Sequence, residues 1–107
     1  MHYTIVVTIW ELRLFSWDQA KNRSNQKKHG VSFEAATLVF DDPCHLSRLE
    51  RVTDGEERWH AIGRAGGMLL LLVVHTWRER PSGEADIRII SARRADKQER
   101  ELYEEGV

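Results

Sequence analysis

The stretch Ile87 to Glu105, IRIISARRADKQERELYEE, changes its periodicity once, and that change restricts the folds open to the chain. Its first half alternates as a strand does and carries Arg88, Arg93 and Arg94. Its second half opens on Asp96 with Glu99 three residues later, the pattern of a capped helix start. A strand ending in arginines and running into a charged helix places fixed cationic forks at the end of a sheet. Guanidinium suits phosphate because its planar donors meet two oxygens at once.

The preceding chain supplies the other layers. Trp17-Asp18 closes a short strand, and Asp18 or Ser16 can cap a helix running to about His29. Gly30 suits the left-handed position after that helix. Ser32 caps a second helix whose apolar stripe is Phe33, Ala36, Val39 and Phe40, and Asp42-Pro43 stops it. The first helix has almost no apolar face, Ala20 being its one clear core residue, so it reads as a solvated surface or a contact surface. After Pro43 come four extended runs: His45 to Val52, Arg58 to Ala65, Met68 to Trp77 and Ala85 to Arg93. The class is α+β, with a strand, two helices, an antiparallel sheet of about four strands and a C-terminal helix.

Gly66-Gly67 signals a two-residue hairpin. That turn sets Arg64 against Leu69, Ile62 against Leu71, His60 against Val73 and Arg58 against His75. Trp59 then shares the opposite, more apolar face with Leu70, Leu72 and Val74, and that face is expected to pack on the helices.

At 107 residues the chain has room for one domain with one core. It is 41% hydrophobic and 31% charged, a globular composition. The formal net charge of −1 opposes indiscriminate nucleic-acid binding, but the charge is segregated. Lys21, Arg23, Lys27 and Lys28 form one basic group, and Arg88, Arg93, Arg94, Lys97 and Arg100 another. The single cysteine, Cys44, excludes an internal disulfide and a cysteine zinc site. The five histidines are scattered, so no metal site is expected. The apolar run near the N-terminus is too short for a membrane span and lacks the features of a signal peptide.

Cutting RNA without a metal needs a base for the 2′-OH, an acid for the departing 5′ oxygen, and cations around the phosphate. In the hairpin register His75 can serve as base or acid, with Arg58 opposite it. Glu57 lies one residue away, on the other face unless a bulge re-aims it. Arg88 and Arg93 have opposite parity on one strand and share a face only if that strand kinks. Each residue also has a plain structural role open to it, as a satisfied histidine or a surface ion pair. Lys21, Lys28, Arg64 and Lys97 are the candidate RNA contacts. Trp17, Trp59 and Trp77 can stack bases or fill the core.

The order Phe15-Ser16-Trp17-Asp18, Lys21, Asn25, Lys28-His29-Gly30-Val31-Ser32-Phe33 and Phe40-Asp41-Asp42-Pro43 resembles the BrnT family of bacterial ribonuclease toxins. The likeness continues through Glu57-Arg58, Ile62-Gly63-Arg64, Val74-His75-Thr76, Arg88 to Arg93, Glu99, Arg100, Tyr103 and Glu104. Two segments depart from it: residues 1–13 are a long start, read as an extra strand or a mis-set start codon, and Arg78 to Glu84 is a long loop. The resemblance implies a RelE-like microbial ribonuclease fold and a cytoplasmic, metal-independent, cofactor-free endoribonuclease cutting through the 2′-OH. Together with the hairpin register, it leads us to expect catalysis on His75, Arg58, Glu57, Arg93 and Arg88. It also implies a ribbon–helix–helix antitoxin of the BrnA type, in a dimeric or higher complex that meets DNA only through the antitoxin. The alternative is a non-catalytic module that binds RNA or its partner through the same arginines. Direct DNA binding is disfavoured by Glu99, Glu101, Glu104 and Glu105 on the last helix.

Overall fold

The computed structural model describes residues 5–10, 13–67 and 69–106. Met68, expected to begin a strand, and residues 1–4, 11 and 12 of the N-terminal segment lie outside them. Strands β1 (Ile5–Trp10) and β2 (Arg13–Asp18) lead into α1 (Gln19–His29) and α2 (Phe33–Thr37), which a 3-10 turn (Leu38–Asp41) extends. Strands β3 (Leu46–Thr53), β4 (Glu56–Ala65), β5 (Leu69–Thr76), β6 (Arg78–Glu79) and β7 (Ala85–Arg94) follow, and α3 (Lys97–Glu104) closes the chain. Among the described residues the strands make one sheet in the order β1-β2-β7-β5-β4-β3, with β6 also on β7.

The expected α+β class stands, but the sheet is mixed. β2 runs parallel to β7, Phe15 beside Ile87 and Ser16 beside Arg88. Local alternation does not reveal this, because pairing between distant strands is chosen by the core and not by the strand itself. Of the two readings of the N-terminal segment, an extra strand is present as β1, antiparallel to β2. The long loop after Trp77 is a hairpin extension: Arg78 and Glu79 pair with Asp86 and Ala85.

The β4–β5 register also differs from the expected one. Ala65 faces Leu69, and Gly66 and Gly67 after it are both at positive φ. Arg64 therefore faces Leu70, Ile62 faces Leu72, His60 faces Val74, and Arg58 faces Thr76. One residue of slip turns every β5 side chain to the other face. Leu71, Val73 and His75 join Trp59, Ala61 and Ala65 beneath the helices, while Leu70 and Leu72 join Ile62 on the opposite side.

The main core lies between that first face and α1, α2 and the 3-10 turn. Phe33, Ala36 and Val39 are fully buried in it with Phe15, Trp17, Ile87 and Ile89. Gly63 is where the 3-10 turn meets the sheet: a Cβ there would lie 2.8 Å from Val39 Cγ1 and 2.9 Å from His45 Cβ. On the second face α3 covers Ile62, Leu70 and Leu72 with Tyr103. Its start is a full capping box between Asp96 and Glu99. Its end is tied down by Asp42, whose Oδ2 accepts the Tyr103 hydroxyl at 2.6 Å and the Arg64 backbone N–H at 2.8 Å. Partial burial works to raise the Asp42 pKa, but the hydrogen bonds from Tyr103, Arg64 and Cys44 outweigh it and hold the carboxyl below its ordinary value.

α1 is attached by other means. Its Asp18 cap, its span and the left-handed Gly30 are as expected. Ala20, however, is exposed, and the buried residues are Asn22 and Asn25. Asn22 accepts the Phe33 N–H at 2.8 Å and donates to Glu34 at 2.8 Å. Asn25 donates to the carbonyls of Val31 at 2.9 Å and Ala92 at 2.7 Å, and it accepts the Ala92 N–H at 3.2 Å. β2 accompanies β7 only as far as Arg88, so beyond it the Asn25 amide pairs with the strand edge as a neighbouring backbone would.

Removing that amide leaves three buried backbone groups without partners. Asn25→Ala should lower unfolding free energy by about 3 kcal/mol, read as a fall in the urea midpoint at constant m-value. An unchanged midpoint would show that α1 does not depend on the amide.

Candidate active surface

The open part of the second sheet face is arranged in rows across the strands. Arg51 faces Arg58, Arg58 faces Thr76, and Arg88 faces Ser16. The Arg88 backbone N–H donates to Thr76 Oγ1 at 3.3 Å, which joins the two halves of the row. Arg58 and Arg88 thus stand two strands apart, about 10 Å at the backbone. The next row holds Arg48, His60, Val74 and Ser91, and the one after it Leu46, Ile62, Leu72 and Arg93.

A bulge makes this face arginine-rich. Val74 faces Ser91 but His75 faces Ile89, so Ile90 is an extra residue in β7. Before it Ile87 and Ile89 point to the core; after it Ala92 does. The required kink is therefore present, and Arg88 and Arg93 lie on the same face despite their opposite parity.

Three of these side chains pair with carboxylates among the described residues. Arg88 Nη2 lies 2.8 Å from Glu56 Oε1, both side chains nearly half exposed. His60 Nε2 lies 3.1 Å from Glu50 Oε2. Arg93 donates two hydrogen bonds to the Glu99 carboxylate, both 2.8 Å, and these bonds raise its pKa further. Ser16, Glu56, Glu57, Thr76, Arg78 and Arg88 line a groove of about 800 Å³ at the end of the arginine row. Glu57 keeps the parity of Trp59 and accepts its indole N–H at 3.3 Å, yet it borders this groove with Glu56.

The remaining expected residues are dispersed. Lys21 and Lys28 are exposed on α1 and line a second groove of about 400 Å³ with Ile90 and Ser91. Arg64 lies over the Tyr103 ring, its Cζ 5.4 Å from the centroid, and donates to Gly67 O at 3.2 Å. Lys97 is exposed at the first turn of α3. Trp17 is core, Trp59 is partly buried and Trp77 is exposed. Arg48, Arg51, Glu56 and His60 were not singled out by sequence reasoning. Glu56 and His60 could have been found by their alternation with Trp59 within β4, whereas Arg48 and Arg51 share that face only through the register shift between Leu49 and Arg51. Among the described residues no group of three or more His, Cys, Asp or Glu is placed to hold a metal ion. No helix there is long and apolar enough to cross a membrane.

His75 lies on the helix side of the sheet, 1% exposed. Its ring meets Phe40 edge-on at 4.9 Å, Nδ1 lies 3.0 Å from the Thr76 carbonyl, and Nε2 has no partner. Burial is the main cause that lowers its pKa to about 4, so it is neutral at physiological pH.

The family model of BrnT, the ribonuclease toxin of type II toxin–antitoxin systems, matches residues 17–99. The chain belongs to the BrnT family. The matched span holds every candidate residue named above from Lys21 to Glu99, and membership of a type II system implies an antitoxin partner. Among solved structures, the 1.1 Å crystal structure of the Brucella abortus ribonuclease toxin BrnT superposes with a TM-score of 0.51. The identity is 24%, over 76% of this chain and 94% of that one, a likeness of fold. No match was found among curated proteins.

The His75 pKa carries a prediction for this BrnT chain. The unfolded imidazole takes a proton near pH 6.5, whereas the folded one resists it down to about 4. Stability is therefore fully present above pH 6.5 and falls as pH drops from there to 4, by about 3 kcal/mol. In His75→Gln that component of the acid sensitivity should vanish in urea melts between pH 7 and 4; an unaltered pH slope would refute the assignment.

Proposed function

We propose that this chain is a metal-independent endoribonuclease on a RelE-like frame, acting through the open sheet face and neutralised by a BrnA-type ribbon–helix–helix antitoxin. The observation that carries this reading is the Arg58–Thr76–Arg88 row, with Glu56 and Glu57 beside it in the groove. A phosphate entering the row replaces Glu56 on Arg88, because an exposed pair in water is held by little free energy. The displaced carboxylate then stands next to the scissile group, and Glu56 or Glu57 takes the 2′-OH proton. The 2′ oxygen attacks phosphorus while Arg58 and Arg88 hold the charge that builds on the non-bridging oxygens. The bond to the 5′ oxygen breaks, and His60, oriented by Glu50, supplies its proton. The products are a 2′,3′-cyclic phosphate and a 5′-hydroxyl. In this scheme Arg93 positions α3 through Glu99, and His75 supports the row from beneath.

Purified protein freed of antitoxin should cut total RNA in excess EDTA, leave the DNA equivalent intact, and produce cyclic phosphate ends. Arg88→Ala should slow cleavage at least about 100-fold, as loss of a charge-stabilising donor does. His60→Gln and Glu56→Gln should each slow it by a similar factor. Cleavage unchanged in all three variants would remove the reaction from this face. Intact RNA with bound arginine-dependent complexes would favour the non-catalytic module.

A further inference from the structure

The helix α1 has a composition that folding does not require. Its sequence QAKNRSNQKKH contains no acidic residue, and none of its cations belongs to an ion pair found among the described residues. Arg13, Arg80, Arg88 and Arg93, in contrast, each face a carboxylate. The helix docks through Asn22 and Asn25 and needs no apolar stripe, so its whole outer surface is available to other groups.

Lys21 and Lys28 are seven residues apart, two helical turns on one side, about 10 Å along the axis. With Ser24 between them they form one wall of the 400 Å³ groove, and Ile90 and Ser91 form its floor. Ser91 is also the β7 member of the row that contains His60 and Val74. The groove therefore opens onto the active face at the bulge, one row away from Arg58 and Arg88.

We infer that the α1 groove is a second binding site for single-stranded RNA, holding the backbone of nucleotides beyond the cleaved bond through Lys21 and Lys28. The ligand is a polyanionic strand and not a base, since lysine ammonium groups contact phosphate as point charges. The site adds affinity for long substrates without reading sequence. This inference rests on the reading of the sheet face as the ribonuclease surface.

The test uses a fluorescent twelve-nucleotide 2′-O-methyl RNA, which cannot be cleaved through the 2′ position, and its three-nucleotide counterpart. Binding is followed by anisotropy across a salt series. The double variant Lys21→Ala/Lys28→Ala should bind the long strand about tenfold more weakly, with a salt slope shallower by about 1.4. Its affinity for the trinucleotide should stay that of wild type. Arg23→Ala, which removes a charge from the same helix outside the groove, should change neither. Equal losses in Arg23→Ala, equal losses on the trinucleotide, or an unchanged long-strand affinity would each overturn the groove. Unchanged RNA affinity with lost capture of the cognate antitoxin would overturn it in favour of a protein partner. Because the strand is uncleavable, wild-type protein that binds it through the lysines yet cuts no RNA would sink the nuclease and leave the groove standing.

Discussion

The amide of Asn25 joins the two layers of this fold at a point where apolar burial cannot. It is a two-sided contact, donating to Ala92 O and accepting from Ala92 N, and it also reaches the Val31 carbonyl in the α1–α2 connection. A strand edge shut inside a protein must find partners for its backbone, or each lost bond costs on the order of 1–3 kcal/mol. β2 satisfies β7 up to Arg88 and then turns into α1. The first helix after that turn carries the amide that continues the pairing. The Asn25 contact thereby holds α1 against β7 and sets Lys21 and Lys28 beside Ile90 and Ser91.

The bulge at Ile90 acts in the same place on the other side of β7. Without it Arg88 and Arg93 would point to opposite faces, and one of them would enter the apolar core at a prohibitive desolvation cost. With it, Ile87, Ile89 and Ala92 all face inward and both arginines face out. The irregular residue is also where the α1 groove and the sheet face meet. A single extra residue thus decides both the charge of the surface and its continuity.

Much of this was readable from the chain, and the failures have physical causes. The caps at Asp18, Ser32 and Asp96, the αL glycine at Gly30 and the stripe Phe33, Ala36, Val39 and Phe40 depend on local interactions, and they lie where the sequence puts them. The docking side of α1 was not readable from hydrophobic periodicity, because buried amides are invisible to it. The spacing of Asn22 and Asn25, three residues apart on a helix otherwise lacking an apolar face, was the available signal. The β4–β5 register failed on one residue of turn length, and that residue carried His75 from the arginine face into the core. Arg58 kept its face because β4 alternates regularly whatever its partner, whereas the kink that puts Arg88 and Arg93 together is not visible in alternation. The site was thus legible as a set of arginines and illegible as a constellation.

The arginines of the sheet face differ in how free they are to act. Glu56 holds Arg88 by one contact between side chains that are 47% exposed, and water screens such a pair to within about 1 kcal/mol. Glu99 holds Arg93 by two parallel bonds, is itself only 16% exposed, and uses the same carboxylate to accept the Asp96 backbone N–H of the capping box. Releasing Arg93 would therefore break the start of α3 as well as an ion pair, and α3 covers Ile62, Leu70 and Leu72. A phosphate can exchange with Glu56 at little cost but cannot exchange with Glu99 without uncovering that second core. The geometry separates two residues that the sequence treats alike: Arg88 is available to an incoming anion, and Arg93 is committed to the fold.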